Sequence, residues 1–191
     1  MRKWVVFLHM SLDGIVEGPN GAMDISFVQY NHELEEFANQ VTAKADTILW
    51  ERSTYERMYH YWPNMLGNLE ASEHERNHAA WVASVDKLVC STSLSEVTWN
   101  NASLIKDNLI QCLHNEMAKD GGAILVLGSP RLAQFLLKEG VVDQLCLTVS
   151  PVIVGAGLNL FNGISGTLKL LESVQMQSGV LGLTYTITKV E

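Results

Sequence analysis

Seven short apolar runs recur along this chain, and between most of them the hydrophobic period lengthens from two residues to about 3.6. That alternation narrows the available folds more than any other feature. The runs read as strands at Lys3–His9, Thr47–Trp50, Lys87–Ser91, Ala123–Leu127, Gln144–Ser150, Lys169–Gln177 and Leu181–Val190. Helical spacing fills the intervals. Asn31 caps a helix whose Leu34, Phe37, Ala38 and Val41 share a face, and a second helix runs from about Ser53 to Tyr61, stopped by Pro63. A third spans about Glu73 to Val85. Asp107 is read as the cap of a fourth that Gly121-Gly122 ends, and a fifth opens at Pro130. Strand–helix alternation predicts an α/β fold with a mostly parallel central sheet and helices on both faces. The last two strands break the rule. Ser178-Gly179 joins them, and Leu183, Tyr185 and Ile187 alternate with threonines, which reads as an antiparallel hairpin at a sheet edge.

Charge decides what such a sheet does not bind. The net charge is −8, so no basic face exists to neutralise a phosphate backbone, and nucleic acid is excluded as a partner. No apolar run approaches the roughly 20 residues that span a bilayer. The start, MRKWVVFLHMSLDG, has the basic residues of a signal peptide, but its apolar run breaks at Asp13 with no cleavage site after it, so it reads as the first strand. Cys90, Cys112 and Cys146 are odd in number, lack metal-ligand spacing and lie among apolar neighbours. They are expected to be buried reduced thiols of a cytoplasmic protein. With 47% hydrophobic residues, the 191 residues are expected to form one domain, residues 1–191.

In open parallel sheets ligands gather beyond the carboxyl ends of the strands. Five segments are expected on that rim: HMSLDG, WERSTYE, CSTS, LGSPR and SPVIVGAG. In AILVLGSPRLAQFLLKEG a strand enters Gly128, Ser129 is placed to cap the next helix, Pro130 takes its first position and Gly140 closes it. Gly128 lets a ligand approach a helix N-terminus, where amides and the macrodipole favour an anion; the same pattern also serves a plain strand-to-helix connection. Arg52 supplies a planar cation, and Ser53, Thr54, Ser91 and Thr92 supply hydroxyls, which together suit a phosphorylated nucleotide. GAGLNL lacks the third glycine of a dinucleotide fingerprint; Gly155 and Gly157 after Pro151 instead let the backbone turn beside a ligand.

Three further features carry competing readings. HERNH, His74 to His78, fits the zinc-hydrolase pattern with Glu75 as base and Glu116 or Asp120 as a third ligand, although Arg76 and its polar flanks suit a solvated helix. Asp24, an isolated carboxylate before the first helix, relays a proton if it is buried and is a turn former if it is not. His9 reads as a core histidine, and Trp50, Trp62, Trp81 and Trp99 as residues that fill the core or cover its edges.

Taken in order, SLDG, RSTYE, STSL, VLGSPRLAQFLLKEGVVDQL and SPVIVGAGLNLF resemble the dihydrofolate reductase-like family, specifically stand-alone proteins similar to the reductase domain of bifunctional riboflavin-biosynthesis enzymes. The resemblance runs from Lys3 to the terminal hairpin and is most specific over Leu127–Phe161. It implies a three-layer sandwich and an NADPH-dependent reductase, a homodimer, that passes hydride to a pterin, folate or ribosylamino-pyrimidine-like small molecule. By the same resemblance Arg52, Ser53, Thr54, Ser91 and Thr92 take the adenosine 2′-phosphate, and Gly128, Ser129, Pro130, Arg131 and Leu132 cover the pyrophosphate. Ser11, Leu12, Asp13 and Gly14 border nicotinamide and substrate, as Pro151 and Gly155 do from the later turn, and Asp24 is the expected proton donor. One departure stands out: Glu51 replaces the glycine the family carries before the arginine. A carboxylate there turns outward, weakens nucleotide binding or removes the preference for NADPH. Ligand binding without turnover is the alternative function.

Overall fold

The computed structural model describes residues 1–21 and 23–188. The elements run β1 (Trp4–Ser11), β2 (Ile15–Glu17), α1 (His32–Thr42), β3 (Ala45–Glu51), α2 (Arg52–Tyr61), a 3₁₀ turn (Trp62–Met65), α3 (Glu73–Ser84), β4 (Asp86–Cys90), β5 (Ala102–Ile105), α4 (Leu109–Met117), β6 (Ala123–Leu127), α5 (Pro130–Lys138), β7 (Gln144–Ser150), β8 (Leu158–Asn159), β9 (Leu168–Gln175) and β10 (Leu181–Ile187). Eight strands form one sheet in the order β5-β4-β3-β6-β1-β7-β10-β9, and β2 and β8 form a separate antiparallel ribbon. Strands β1, β3, β4, β5, β6 and β7 are mutually parallel; β10 is antiparallel to both β7 and β9. The hairpin turns at Gly179, whose amide bonds Met176 O. The architecture is the expected one: a mostly parallel sheet, a C-terminal antiparallel hairpin and helices packed on both faces.

Strand alternation sorts the core into layers. Val6 and Leu8 of β1, Leu49 of β3 and Val126 of β6 pack with Leu113 of α4 and Leu132 and Leu136 of α5. Their neighbours Val5, Phe7 and Leu125 point the other way, onto Leu34, Phe37 and Val41 of α1. Farther along that second face, Ile48, Trp50 and Val89 meet Tyr55 of α2 and Val82 of α3. The indole of Trp50 stacks on Trp99 at 5.7 Å. Lys87 of β4 is wholly buried; its ammonium donates to Val85 O at 2.8 Å and Asn100 O at 3.1 Å and lies 5.1 Å from the Trp99 ring.

Several details depart from the sequence reading. The fourth helix begins at Leu109 behind a left-handed Asn108 that gives no side-chain cap, so Asp107 does not cap it. It ends at Met117, and Gly121-Gly122 instead leads into β6, where the Gly122 amide bonds Asp46 at 2.7 Å. The short strands β2, β5 and β8 were not expected. Cys146 is buried, while Cys90 and Cys112 are only half-buried; all three are free. Positions 189 and 190 of the expected last strand lie outside the described residues. Among the described residues no helix is long and apolar enough to cross a membrane.

Candidate functional site

The parallel topology brings the ends of β1, β3, β4, β6 and β7 to one rim, so the five polar segments fall where the sequence places them. The turn from β6 into α5 is its centre. Gly128 has φ +69°, and a Cβ there would meet only the Thr54 methyl at 3.7 Å, so its outer side is open. Ser129 occupies the cap position without capping: it is left-handed, and its buried hydroxyl accepts the Glu51 amide at 3.2 Å. Pro130 takes the first helical position as expected. At the far end, Gly140 N bonds Leu137 O and Val141 N bonds Leu136 O, the paired bonds of a glycine-closed helix.

Glu51 points into this corner. Its Oε1 accepts the Ser53 hydroxyl at 3.3 Å. Burial raises its pKa against the Ser53 bond, the Arg131 charge and the Leu132 amide, all of which favour the carboxylate. The first turn of α5 thus already faces an internal anion. Arg52, at the start of α2, is exposed and pairs along its own helix with Glu56 at 3.7 Å. Thr54 is buried beneath Gly128. The Ser91 hydroxyl accepts the amides of Ser93 and Leu94 and shapes its own turn, and Thr92 is exposed beside it.

Across the rim, Asp13 ties two loops together. Its carboxylate accepts the Ser11 hydroxyl at 2.6 Å, the Val154 amide at 3.1 Å and the Gly155 amide at 2.8 Å. Those bonds, the Ser11 one foremost, hold its pKa down at about 2. The Ser11 hydroxyl in turn accepts the Ile15 amide, and Gly14 O accepts Leu160 N, which docks β8 against β2. Pro151 and Gly155 are exposed on the outside of this knot. Arg131 reaches from α5 to Glu17 of β2 at 2.8 Å and closes the gap between the two loop systems.

Behind Gly128 and Pro130 opens a cavity of about 480 Å³ between β1, α1, α2 and α3. Phe7, Val16, Ile25, Leu34, Met58 and Trp62 give it apolar walls. His9 shares a 2.6 Å hydrogen bond with Thr148, and burial lowers its pKa to about 4. His78 lies between Trp62 and Trp81, and burial, with the nearby His74, lowers it to about 4 as well. His74 Nδ1 lies 3.9 Å from Glu35 Oε2, and the Tyr61 hydroxyl donates to Glu75 at 2.8 Å. Sequence reading missed the cavity-facing roles of Glu35, Tyr61, Trp62, His74 and His78. The i, i+4 spacing in HERNH did signal that two imidazoles share a helix face; the chemistry of that face came only from the strand and helices opposite.

One expectation is corrected, and one competing reading loses its support. Asp24 lies on a surface turn outside the cavity wall, where its carboxylate accepts Ser26 Oγ at 2.7 Å and Asn20 Nδ2 at 2.8 Å. The Ser26 bond above all holds its pKa below the ordinary range, so it is ionised at neutral pH and has no proton to give. The zinc pattern finds no third ligand: Glu116 pairs with Lys119 and Arg2 at the far end of α4, and among the described residues no trio of His, Cys, Asp or Glu is placed to hold a metal.

This geometry has relatives. Residues 2–181 match the family described as the RibD C-terminal domain. The chain is 28% identical over 186 residues to the uncharacterized protein YyaP of Bacillus subtilis, covering 96% of this chain and 94% of that one. It superposes on the diaminohydroxyphosphoribosylaminopyrimidine deaminase/5-amino-6-(5-phosphoribosylamino)uracil reductase of Thermotoga maritima with a TM-score of 0.65 at 14% identity, covering 98% of this chain and 57% of that one. The dihydrofolate reductase of Enterococcus faecalis complexed with NADP(H) gives a TM-score of 0.63 at 11% identity over 98% and 97% of the two chains. The likeness to these solved structures shows the dihydrofolate reductase-like fold, and a match that extends over nearly the whole sequence places this chain in the RibD C-terminal domain family.

Proposed function

We propose that the chain is an NADPH-dependent reductase that passes hydride to a small planar heterocycle bound in the cavity behind Gly128. The observation that carries the reading is the direct opening of an unobstructed glycine turn, at a helix N-terminus, onto an aromatic-walled cavity. In support, one fold neighbour carries NADP(H) and another is a reductase by its printed name.

The residues present fit the cofactor, with one cost. Gly128 and the amides that follow Pro130 suit a pyrophosphate, while Arg52, Ser53, Thr54, Ser91 and Thr92 lie along the neighbouring strand ends for the adenosine phosphate. Glu51 opposes them with a carboxylate aimed at the same turn. When bound, NADPH supplies the hydride. The chain's own work is to orient the heterocycle between Phe7, Leu34 and Trp62, to exclude water, and to keep the Ser11–Gly14 and Pro151–Gly155 loops locked through Asp13. His74 and Glu35, 3.9 Å apart, line the cavity that such a ring would enter.

Titrating NADPH against the protein by fluorescence tests the reading. Dissociation constants below millimolar are expected, and weaker binding overturns it. Arg52→Ala should weaken NADPH by about tenfold, the scale of one lost charge-assisted phosphate contact, and NADH much less. Glu51→Gly should tighten NADPH by about the same factor by removing a like charge from the cradle. A second reading, ligand binding without turnover, is favoured by that same Glu51 carboxylate; bound heterocycle with no NADPH oxidation would establish it.

A further inference from the structure

Between its apolar walls the cavity presents acids and imidazoles but, among the described lining residues, no strong base. Its ionisable lining groups are Glu17, Glu35 and Glu75, the three histidines His9, His74 and His78, and the phenols of Tyr30 and Tyr61; no lysine or arginine is among the described lining residues. The surrounding arginines are engaged elsewhere. Arg131 is ion-paired with Glu17, Arg52 with Glu56, and Arg76 donates to the carbonyls of Ala71 and Asn68, while Arg57 lies exposed on α2. Glu75 is fixed by the Ser72 amide and the Tyr61 hydroxyl, and Glu35 lies beside His74, so neither carboxylate has a cationic side chain with a permanent charge as its partner. His9 and His78 are neutral at pH 7 because burial holds both near 4. The interior field is therefore negative, in a chain whose net charge is already −8.

We propose that this cavity selects a planar aromatic heterocycle that carries no phosphate, neutral or protonated at its polar edge, and rejects phosphorylated analogues by charge. The aromatic and apolar groups Phe7, Tyr30, Leu34, Met58, Tyr61 and Trp62 supply the flat walls that suit such a ring. A phosphate inside would face Glu35 and Glu75 with no guanidinium or ammonium to receive it. The phosphates of a dinucleotide are a separate matter, because the Gly128 turn that suits them forms the β6–α5 side of the cavity, whereas Glu35 and Glu75 stand on α1 and α3. The inference rests on the reductase reading only in calling the ring a substrate.

Calorimetric titration with a matched pair, neopterin and neopterin monophosphate, at constant ionic strength and pH 7 tests it. Neopterin is expected to bind at least tenfold more tightly than its phosphate. In the Glu35→Gln/Glu75→Gln variant, where glutamine still completes the turn at Ser72, the gap is expected to shrink below threefold. Equal or tighter binding of the phosphate overturns the proposal, as does failure of both compounds to bind, or a gap that the double variant leaves intact. NADPH is titrated separately. A protein that prefers neopterin and ignores NADPH loses the reductase reading and keeps this inference; one that binds NADPH and prefers the phosphate loses this inference alone.

Discussion

His9 and His78 are neutral residues whose protonation the fold resists, and this gives the chain an acid-sensitive stability. Both have folded pKa values near 4, below the ordinary 6.5 of an unfolded histidine. Between pH 6.5 and pH 4 the unfolded chain thus binds more protons, so stability falls as pH drops through that window and is fully restored above it. The loss should be on the order of 2 kcal/mol per ring, less than the full shift would give because each ring keeps an edge on the cavity. Urea midpoints measured from pH 7 to pH 4 check this; His78→Phe should flatten the curve by about half. Asp13 works in the opposite chemical sense but the same direction, since its stabilising ionisation is lost only as pH falls from 3.8 toward 2. At this scale the sequence was partly legible. The pairing of Asp13 with Val154 and Gly155 spans 141 and 142 residues and leaves no local trace. The Asn31 cap was legible because its partner, the Leu34 amide, is three residues away.

At the scale of elements, the β2–β8 ribbon sets the floor of the site, and Gly157 sets the ribbon. Its φ is +129°, and a Cβ there would lie 2.2 Å from the Glu17 carbonyl oxygen. Gly157→Ala should therefore push β8 off β2 and cost roughly 2–3 kcal/mol, the scale of a backbone clash combined with unfavourable φ. Because Glu17 anchors Arg131, the same variant should loosen the start of α5; faster hydrogen exchange at Gly14 and Leu160 and a lower thermal midpoint would report it. Ribbons this short defeat pattern reading, since two or three residues carry no period. The longer runs were legible for the converse reason: β6 and β7 have the bounds their apolar sequences predict, and α5 begins at its proline and is closed, two residues past Lys138, by Gly140.

For the whole molecule, the strand–helix alternation was enough to place five distant segments on one rim, because parallel connections allow few arrangements. It was not enough to show the cavity, which forms where α1, α2 and α3 fail to close over β1 and β2. Its wall residues come from separate elements, each of which looks like an ordinary amphipathic surface in isolation. A ligand that binds only this assembled state must stabilise it as a whole: NADPH at about 100 times its dissociation constant should add about 2.7 kcal/mol, a rise of roughly 5–10 °C in thermal midpoint for a chain of this length. A heterocycle in the cavity should add a separate increment, measurable by differential scanning fluorimetry with each compound alone and both together.

The interred ammonium of Lys87 makes the outer margin of the sheet its own witness. Amine-directed reagents find no path to it while β4 and β5 remain in place, whereas Lys3, Lys44 and Lys169 on other strands and loops carry no such shelter. Acylation at Lys87 accordingly counts the openings of that margin, and mass spectrometry of its tryptic peptide would time them without any engineered probe.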